Sequence, residues 1–191
     1  GFGEINLSLA YRDKNQTSFF DFGGFPDYRD VDLNVLSFTP RVKVAHRLLG
    51  AENTLVAGLD WYKWDYRLRT SNSSANIHQP INNVSADQRN TGLYLHNTTR
   101  ISQWTTLSAG LRSERLHIRA DDVYDSTAPG AFFGSAAPSG SQTENEYAYE
   151  LGLRHQLDSA TAFFGKLGRS FRFANVDELY EFSPPWGEES R

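Results

Sequence analysis

The chain has 191 residues, 39% hydrophobic and 22% charged, enough apolar material for one packed or lipid-covered domain and too much for a disordered tail. Its net charge is −4 and its 19 Lys and Arg are spread along the whole length, so the basic stripe that nucleic acids require is missing. The absence of Cys excludes disulfides, thiolate metal sites and thiol catalysis, and no apolar run approaches the roughly 18 residues of a transmembrane helix.

A transmembrane barrel passes the same test, because its strands alternate apolar and polar residues and average to a mild value such as the mean hydropathy of −0.55 here. The chain starts at Gly1 and holds no Met, as expected of a mature product or of a piece of a longer polypeptide.

Period-two alternation dominates the sequence. Ile5, Leu7, Leu9 and Tyr11 alternate with Asn6, Ser8, Ala10 and Arg12 as a first strand. Leu36, Phe38, Pro40, Val42 and Val44 form a second, with Pro40 where the ladder must tolerate a missing N–H. In the third, Leu55, Ala57, Leu59 and Trp61 give way to Tyr62, Trp64, Tyr66 and Leu68, and a bulge near Trp61 is the expected cause of the phase change. The fourth carries Leu93, Leu95, Thr99 and Ile101. The fifth bears Leu107, Ala109 and Leu111, again with a phase change at Leu116 and Ile118. Tyr147, Tyr149, Leu151 and Leu153 define the sixth, and Phe163, Gly165 and Leu167 begin the seventh. Val176 to Phe182 has room for one helical turn.

The connections alternate in length. Those at Lys14 to Asn34, Thr70 to Asp87 and Ala120 to Asn145 are long; those at Arg47 to Asn53, Ser102 and Gln103, and Leu157 to Ser159 are short. In an up-and-down meander every second connection lies at the same rim, so one rim carries long loops and the other tight turns, an asymmetry of outer-membrane barrels. Soluble antiparallel barrels and sandwiches share the alternation.

The sharpest local signal runs from Gly165 to Tyr180 and reads GKLGRSFRFANVDELY. It resembles the segment of TonB-dependent outer-membrane receptors in which a barrel strand reading roughly Y-G-R-S-F-R leads into P-N-x-x-E-L-Y. The matching residues are Arg169, Phe171, Arg172, Asn175, Glu178, Leu179 and Tyr180. Similar pieces precede it in the family's order: GLDWY from Gly58, TGLYL from Thr91, LSAGLR from Leu107 and YELGLR from Tyr149. Phe173-Ala174 departs from the Ala-Pro that many relatives, haem receptors prominent among them, place there. That departure counts against haem.

The resemblance implies an all-β fold, an antiparallel up-and-down meander forming about seven strands of a larger transmembrane barrel. Residues 1–191 would be one partial barrel domain without the plug and TonB box, since such receptors close about twenty-two strands around a plug. The implied function is TonB-coupled uptake of a scarce nutrient, most often a ferric siderophore, across the outer membrane of a Gram-negative cell. Its partners would be outer-membrane lipid, the siderophore, and TonB only through the missing plug; no enzyme activity, cofactor or nucleic acid is implied. Two alternatives stay open: a complete small outer-membrane barrel with a structural, adhesion or lipid-modifying role, and a soluble lipocalin-like binder. A closed barrel of about eight strands needs one strand more than the sequence offers.

Individual side chains fit this frame. Trp61, Tyr62, Trp64, Tyr66, Trp104, Tyr147 and Tyr149 lie toward strand ends, where aromatic rings favour a lipid–water boundary or pack across a soluble sheet. Arg112, Glu114, Glu150 and Arg154 occupy polar-face positions and are expected to face a lumen. The segment Ser18 to Tyr28 puts Phe19, Phe20, Phe22, Phe25 and Tyr28 in an expected loop, a candidate surface for an aromatic or amphipathic ligand or for another loop.

Catalytic constellations do not assemble. The five histidines, His46, His78, His96, His117 and His155, lack metal-site spacing. Asp121, Asp122 and Asp125 lack the Gly and Glu of a calcium loop and read as a solvated turn.

Overall fold

In the computed structural model, which describes residues 3–48, 50–132 and 135–173, the alternating segments join into one antiparallel sheet. Its strands are β1 (Glu4–Asn6), β2 (Leu9–Asp21), β3 (Pro26–Phe38), β4 (Arg41–Leu48), β5 (Ala51–Ser71), β6 (Asn82–Arg100), β7 (Thr105–Tyr124), β8 (Gly140–Gln156) and β9 (Ala162–Arg169). Among the described residues one 3₁₀ turn, Ser74–Asn76, follows β5.

Nine segments make seven staves. β1 pairs with β4 and β2 with β3 on one continuous register, and β4 and β3 in turn pair with successive parts of β5 on another. The break falls at Pro40, which has no N–H to give. Bonds from Thr39 N to Ser8 O at 2.9 Å and from Leu59 N to Pro40 O at 3.1 Å carry the ladder through it. From β5 onward each strand pairs with the next, so the expected up-and-down meander is the observed topology. The first and last staves are each paired on one side, and among the described residues the sheet is open.

The two faces differ. On β7 exposure alternates strictly, with Leu107, Ala109, Leu111, Ser113, Arg115, His117 and Arg119 exposed and their neighbours from Gly110 to Ala120 shielded. Such shielding is expected where a curled sheet crowds side chains on its concave, inner face. The register then assigns Leu93, Leu95, Leu151 and Leu153 to the outer face with Leu107, Ala109 and Leu111.

The change of apolar phase at Trp61 is not a bulge. β5 pairs with β6 from Glu52↔Arg100 to Thr70↔Asn82 without slipping, and β7 passes Leu116 in equally regular register with β8. Instead, the apolar residues change sides. The outer face is apolar through Leu59 and Trp61 and then reads Lys63, Asp65 and Arg67, while the inner face takes over with Tyr62, Trp64, Tyr66 and Leu68. Val84, Ala86, Leu116, Ile118 and Ala120 join this inner apolar patch, and all five are buried.

The long connections are shorter than the sequence pattern implies. Lys14 to Asn34 is mostly strand, closed by a turn at 22–25 with Gly23 and Gly24 at positive φ. The other two shrink to 72–81 and 125–139. Their arms were hidden because a strand beyond an apolar belt carries polar residues outward and loses the alternation that marks it. β7, with 20 residues, spans about 65 Å at roughly 3.3 Å per residue, well over twice the height of an apolar belt of about 25 Å. No helix among the described residues is long and apolar enough to cross a membrane. The Val176 to Phe182 turn lies outside the described residues.

Candidate functional site

The inner face below the aromatic patch is a charged wall whose parts come from the separately recognised sequence pieces. Gly58, Tyr94 and Arg112 are cross-strand neighbours in one row, and Asp60, Gly92 and Glu114 in the next. Arg112 donates from Nη1 to Asp60 Oδ2 at 2.7 Å and from Nη2 to Glu114 Oε2 at 2.6 Å, and its guanidinium lies 5.8 Å from the Tyr94 ring centroid. Asn90 Nδ2 donates to Glu114 Oε1 at 3.2 Å.

Two glycines make the approach possible. A Cβ on Gly92 would come within 2.8 Å of Arg112 Nη2, and one on Gly58 within 2.4 Å of the Tyr94 ring. Glycine in a strand interior often marks such a close approach, and here it lets a side chain cross the intervening strand.

A second group lies toward β9. Glu150 pairs with Lys166 and stands 3.4 Å from His96 Nε2, while Arg169, opposite Tyr149 in an outer row at the end of β9, reaches Glu146 at 2.6 Å and stacks 4.0 Å from the Tyr147 centroid. Arg154 donates to Gln156 at 3.0 Å. Arg112, Glu150 and Arg154 therefore sit on one face, opposite the leucine rows. Asp60, His96, Glu146 and Lys166 complete the two clusters and were missed by sequence reasoning; Gly92 and Gly58, in strand interiors, were the available signal.

At the rim above, the two longer loops lock to the strand ends. Asn82 Nδ2 donates to Asp122 Oδ2 at 2.9 Å, Ala137 N to the same oxygen at 2.8 Å, and Gln79 Nε2 to Asp125 Oδ2 at 3.1 Å. Tyr124 OH donates to Ala131 O at 2.6 Å. The acidic turn is thus a latch, and not simply solvated as the sequence suggested. Hydrogen bonds from the Thr127 hydroxyl and Gln79 hold the Asp125 carboxyl below its ordinary value.

The aromatic segment is a hairpin tip, not a loop. Phe19 and Phe20 end β2 and Tyr28 opens β3, with Phe19 opposite Tyr28 on one face. Phe20 lies on the other, 6.0 Å from Phe22 and 5.7 Å from the Arg29 guanidinium. Alternation thus splits the five rings between two faces and the turn. The girdle residues divide likewise: Trp61, Tyr147 and Tyr149 lie in outer rows, whereas Tyr62, Trp64 and Tyr66 lie in inner ones.

Among the described residues no group of His and acidic side chains could hold a metal. Of the terminal motif, Arg169 ends β9, Phe171 meets Phe173 edge-on at 5.2 Å, and Arg172 has a partner. Asn175, Glu178, Leu179 and Tyr180 lie outside the described residues.

Long antiparallel staves with an apolar outer belt, a charged inner wall and longer loops at one rim define a piece of receptor-type β-barrel wall. The family described as TonB dependent receptor-like, beta-barrel matches residues 2–188, and the chain belongs to that family.

Solved structures that share the fold include those of two transport proteins. The ferric citrate transporter FecA in its unliganded form matches 87% of this chain and 24% of its own at 11% identity, with a TM-score of 0.73. The Ferric-Catecholate import receptor Fiu from E. coli K12 matches in its closed form (94% of this chain, 34% of its own, 12% identity, TM-score 0.62). It matches in its open form as well (86% and 32%, 12% identity, TM-score 0.59). The chain therefore spans about a quarter to a third of the length of these receptors. No curated relative matches it in sequence.

Proposed function

We propose that the chain is part of the barrel wall of a Gram-negative outer-membrane receptor that takes up a scarce nutrient, a ferric siderophore, with energy delivered through TonB. The observation that carries this reading is the exchange of apolar character between faces at Trp61 and Tyr62 within one unbroken register. A wall crossing a membrane needs lipid-compatible side chains outside only over the belt, and beyond it the inner face is free to build an apolar vestibule. The plug and TonB box would belong to a part of the receptor outside these 191 residues. The named neighbours, a ferric citrate transporter and a ferric-catecholate import receptor, support iron chelates as the substrate class.

In this reading the ligand enters at the rim carrying the 22–25, 72–81 and 125–139 connections. The hairpin tip with Phe19, Phe20, Phe22, Phe25 and Tyr28 stands there as a first contact, four of its rings well exposed. Arg112, Glu150 and Arg154 line the lumen below, and Arg169, Phe171 and Arg172 continue the wall into the family motif. The role is transport, and no step of chemistry on the ligand is involved. A closed small barrel fits less well, since among the described residues β9 does not pair with β1 or β2.

The test is uptake by cells. A strain lacking the complete receptor should lose growth on a ferric siderophore as sole iron source and regain it on complementation, and the purified receptor should show quenching of tryptophan fluorescence by the same chelate. Growth and quenching indifferent to every siderophore class would remove the assignment.

A further inference from the structure

On the outer face, immediately above the apolar belt, the sheet sets cations opposite one another. Trp61, Thr91 and Arg115 share one row, and Lys63, Arg89 and His117 share the next. The row beneath is Leu59, Leu93 and Ser113, flanked by Tyr147. Like charges directly opposite on one face are destabilising, so Lys63 facing Arg89 calls for a counter-charge.

The sheet does not provide one for the arginines. Lys63 has Asp65 at 3.1 Å, but Arg89 and Arg115 make no ion pair or hydrogen bond among the described residues, and both are exposed. The acid placed to neutralise Arg89 is Asp87, two residues along the same face, but it forms no ion pair with it and stands directly opposite Asp65. His117 Nδ1 is occupied by Thr143 Oγ1 at 2.9 Å. Arg89 and Arg115 are diagonal neighbours, about 7–8 Å apart at the backbone. An anion between them can take forked hydrogen bonds from both guanidinium groups.

We propose that Arg89 and Arg115, with Lys63 beside them, hold the phosphate of a membrane lipid whose acyl chains lie on the leucine rows below. The geometry favours a lipid phosphate over a free anion, because the cationic rows adjoin the belt without a gap. One molecule can then satisfy the arginines and cover Leu93, Leu95 and Leu111 together. The inference rests on the reading of the outer face as lipid-facing.

The complete receptor reconstituted in phosphatidylcholine nanodiscs containing a small fraction of lipid A, or of its dephosphorylated form, tests this. Lipid retained after gel filtration is quantified by mass spectrometry. Phosphorylated lipid A should be enriched over the dephosphorylated form. Arg89→Gln and Arg115→Gln should each reduce that enrichment about fivefold, the equivalent of roughly 1 kcal/mol per cation near a membrane surface. Arg89→Lys with Arg115→Lys should keep most of it, and Arg67→Gln, farther from the belt, should leave it unchanged. Equal retention of the two lipids, retention unaffected by the paired Gln variants, or inorganic phosphate binding as tightly without lipid would each overturn the proposal. A receptor that enters the bilayer and shows no such preference loses only this inference, whereas one that cannot be reconstituted at all loses the lipid-facing reading as well.

Discussion

Arg112 on β7 reaches over Gly92 on β6 to donate to Asp60 on β5 at 2.7 Å, joining three staves through one side chain. Gly92→Ala would put a Cβ 2.8 Å from Arg112 Nη2, and the guanidinium must yield. Its cost should be about 1–3 kcal/mol, the usual range for overpacking. In the complete receptor, urea unfolding should further show that Asp60→Asn and Arg112→Gln are non-additive, with a coupling of about 0.5–3 kcal/mol. Strict additivity would mean that the contact contributes nothing to the wall.

The outer belt makes a position-dependent prediction. Leu111→Arg should cost about 2–4 kcal/mol in a bilayer folding assay if it lies near the midplane. Ser113→Arg, one outer row nearer the cations, should cost less, since the penalty for a charge falls toward the interface. Equal costs at the two sites would place the edge of the belt elsewhere.

The inner apolar patch supplies the reverse contrast. Ile118 is fully buried although its outer neighbour His117 is exposed. Ile118→Ala should destabilise by about 2–5 kcal/mol, and His117→Ala should cost no more than about 1 kcal/mol, the worth of its exposed bond to Thr143. Thermal unfolding monitored by circular dichroism separates the two outcomes.

That contrast also marks the limit of the sequence. Leu93, Leu95, Leu107, Leu111, Leu151 and Leu153 announced the strands because each sits in an outer belt opposite polar inner residues, a clean period of two. Tyr62 to Leu68 and Leu116 to Ile118 kept the period and changed face, and periodicity alone cannot tell that from an inserted residue. Only pairing to both neighbouring strands distinguishes a bulge from a change of surroundings. The arms at Lys14 to Asn34 escaped because their outer residues are polar. The charged clusters escaped for a different reason: Asp60, Arg112 and Glu114 are far apart in sequence, and their meeting depends on register and on the two glycines that let side chains cross a strand.

Asp65 and Asp87 stand directly opposite each other on the outer face above the belt, where stability should depend on pH. Hydrogen bonding to Asp65, then burial, raises the Asp87 pKa. Asp65 is itself pushed upward by burial, but hydrogen bonds from Asp87 and Lys63 prevail and lower it. The signs are opposite. Asp87, raised in the folded state, contributes stability that is complete below its unfolded value near 3.9 and is lost as pH rises through the folded pKa. Asp65, lowered, contributes above that value and loses its contribution as pH falls through its folded pKa. The pair is therefore best satisfied while it shares one proton, around the ordinary aspartate value, and loses stability on either side of it. Asp87→Asn supplies a permanent donor to Asp65 in place of that proton. Relative to the parent, the variant should gain stability progressively as pH rises from the ordinary aspartate value of about 3.9 to neutrality, read as the shift in urea midpoint at each pH. A shift that stays flat across this window, or that favours the parent at neutral pH, would show that the two carboxyls do not share a proton.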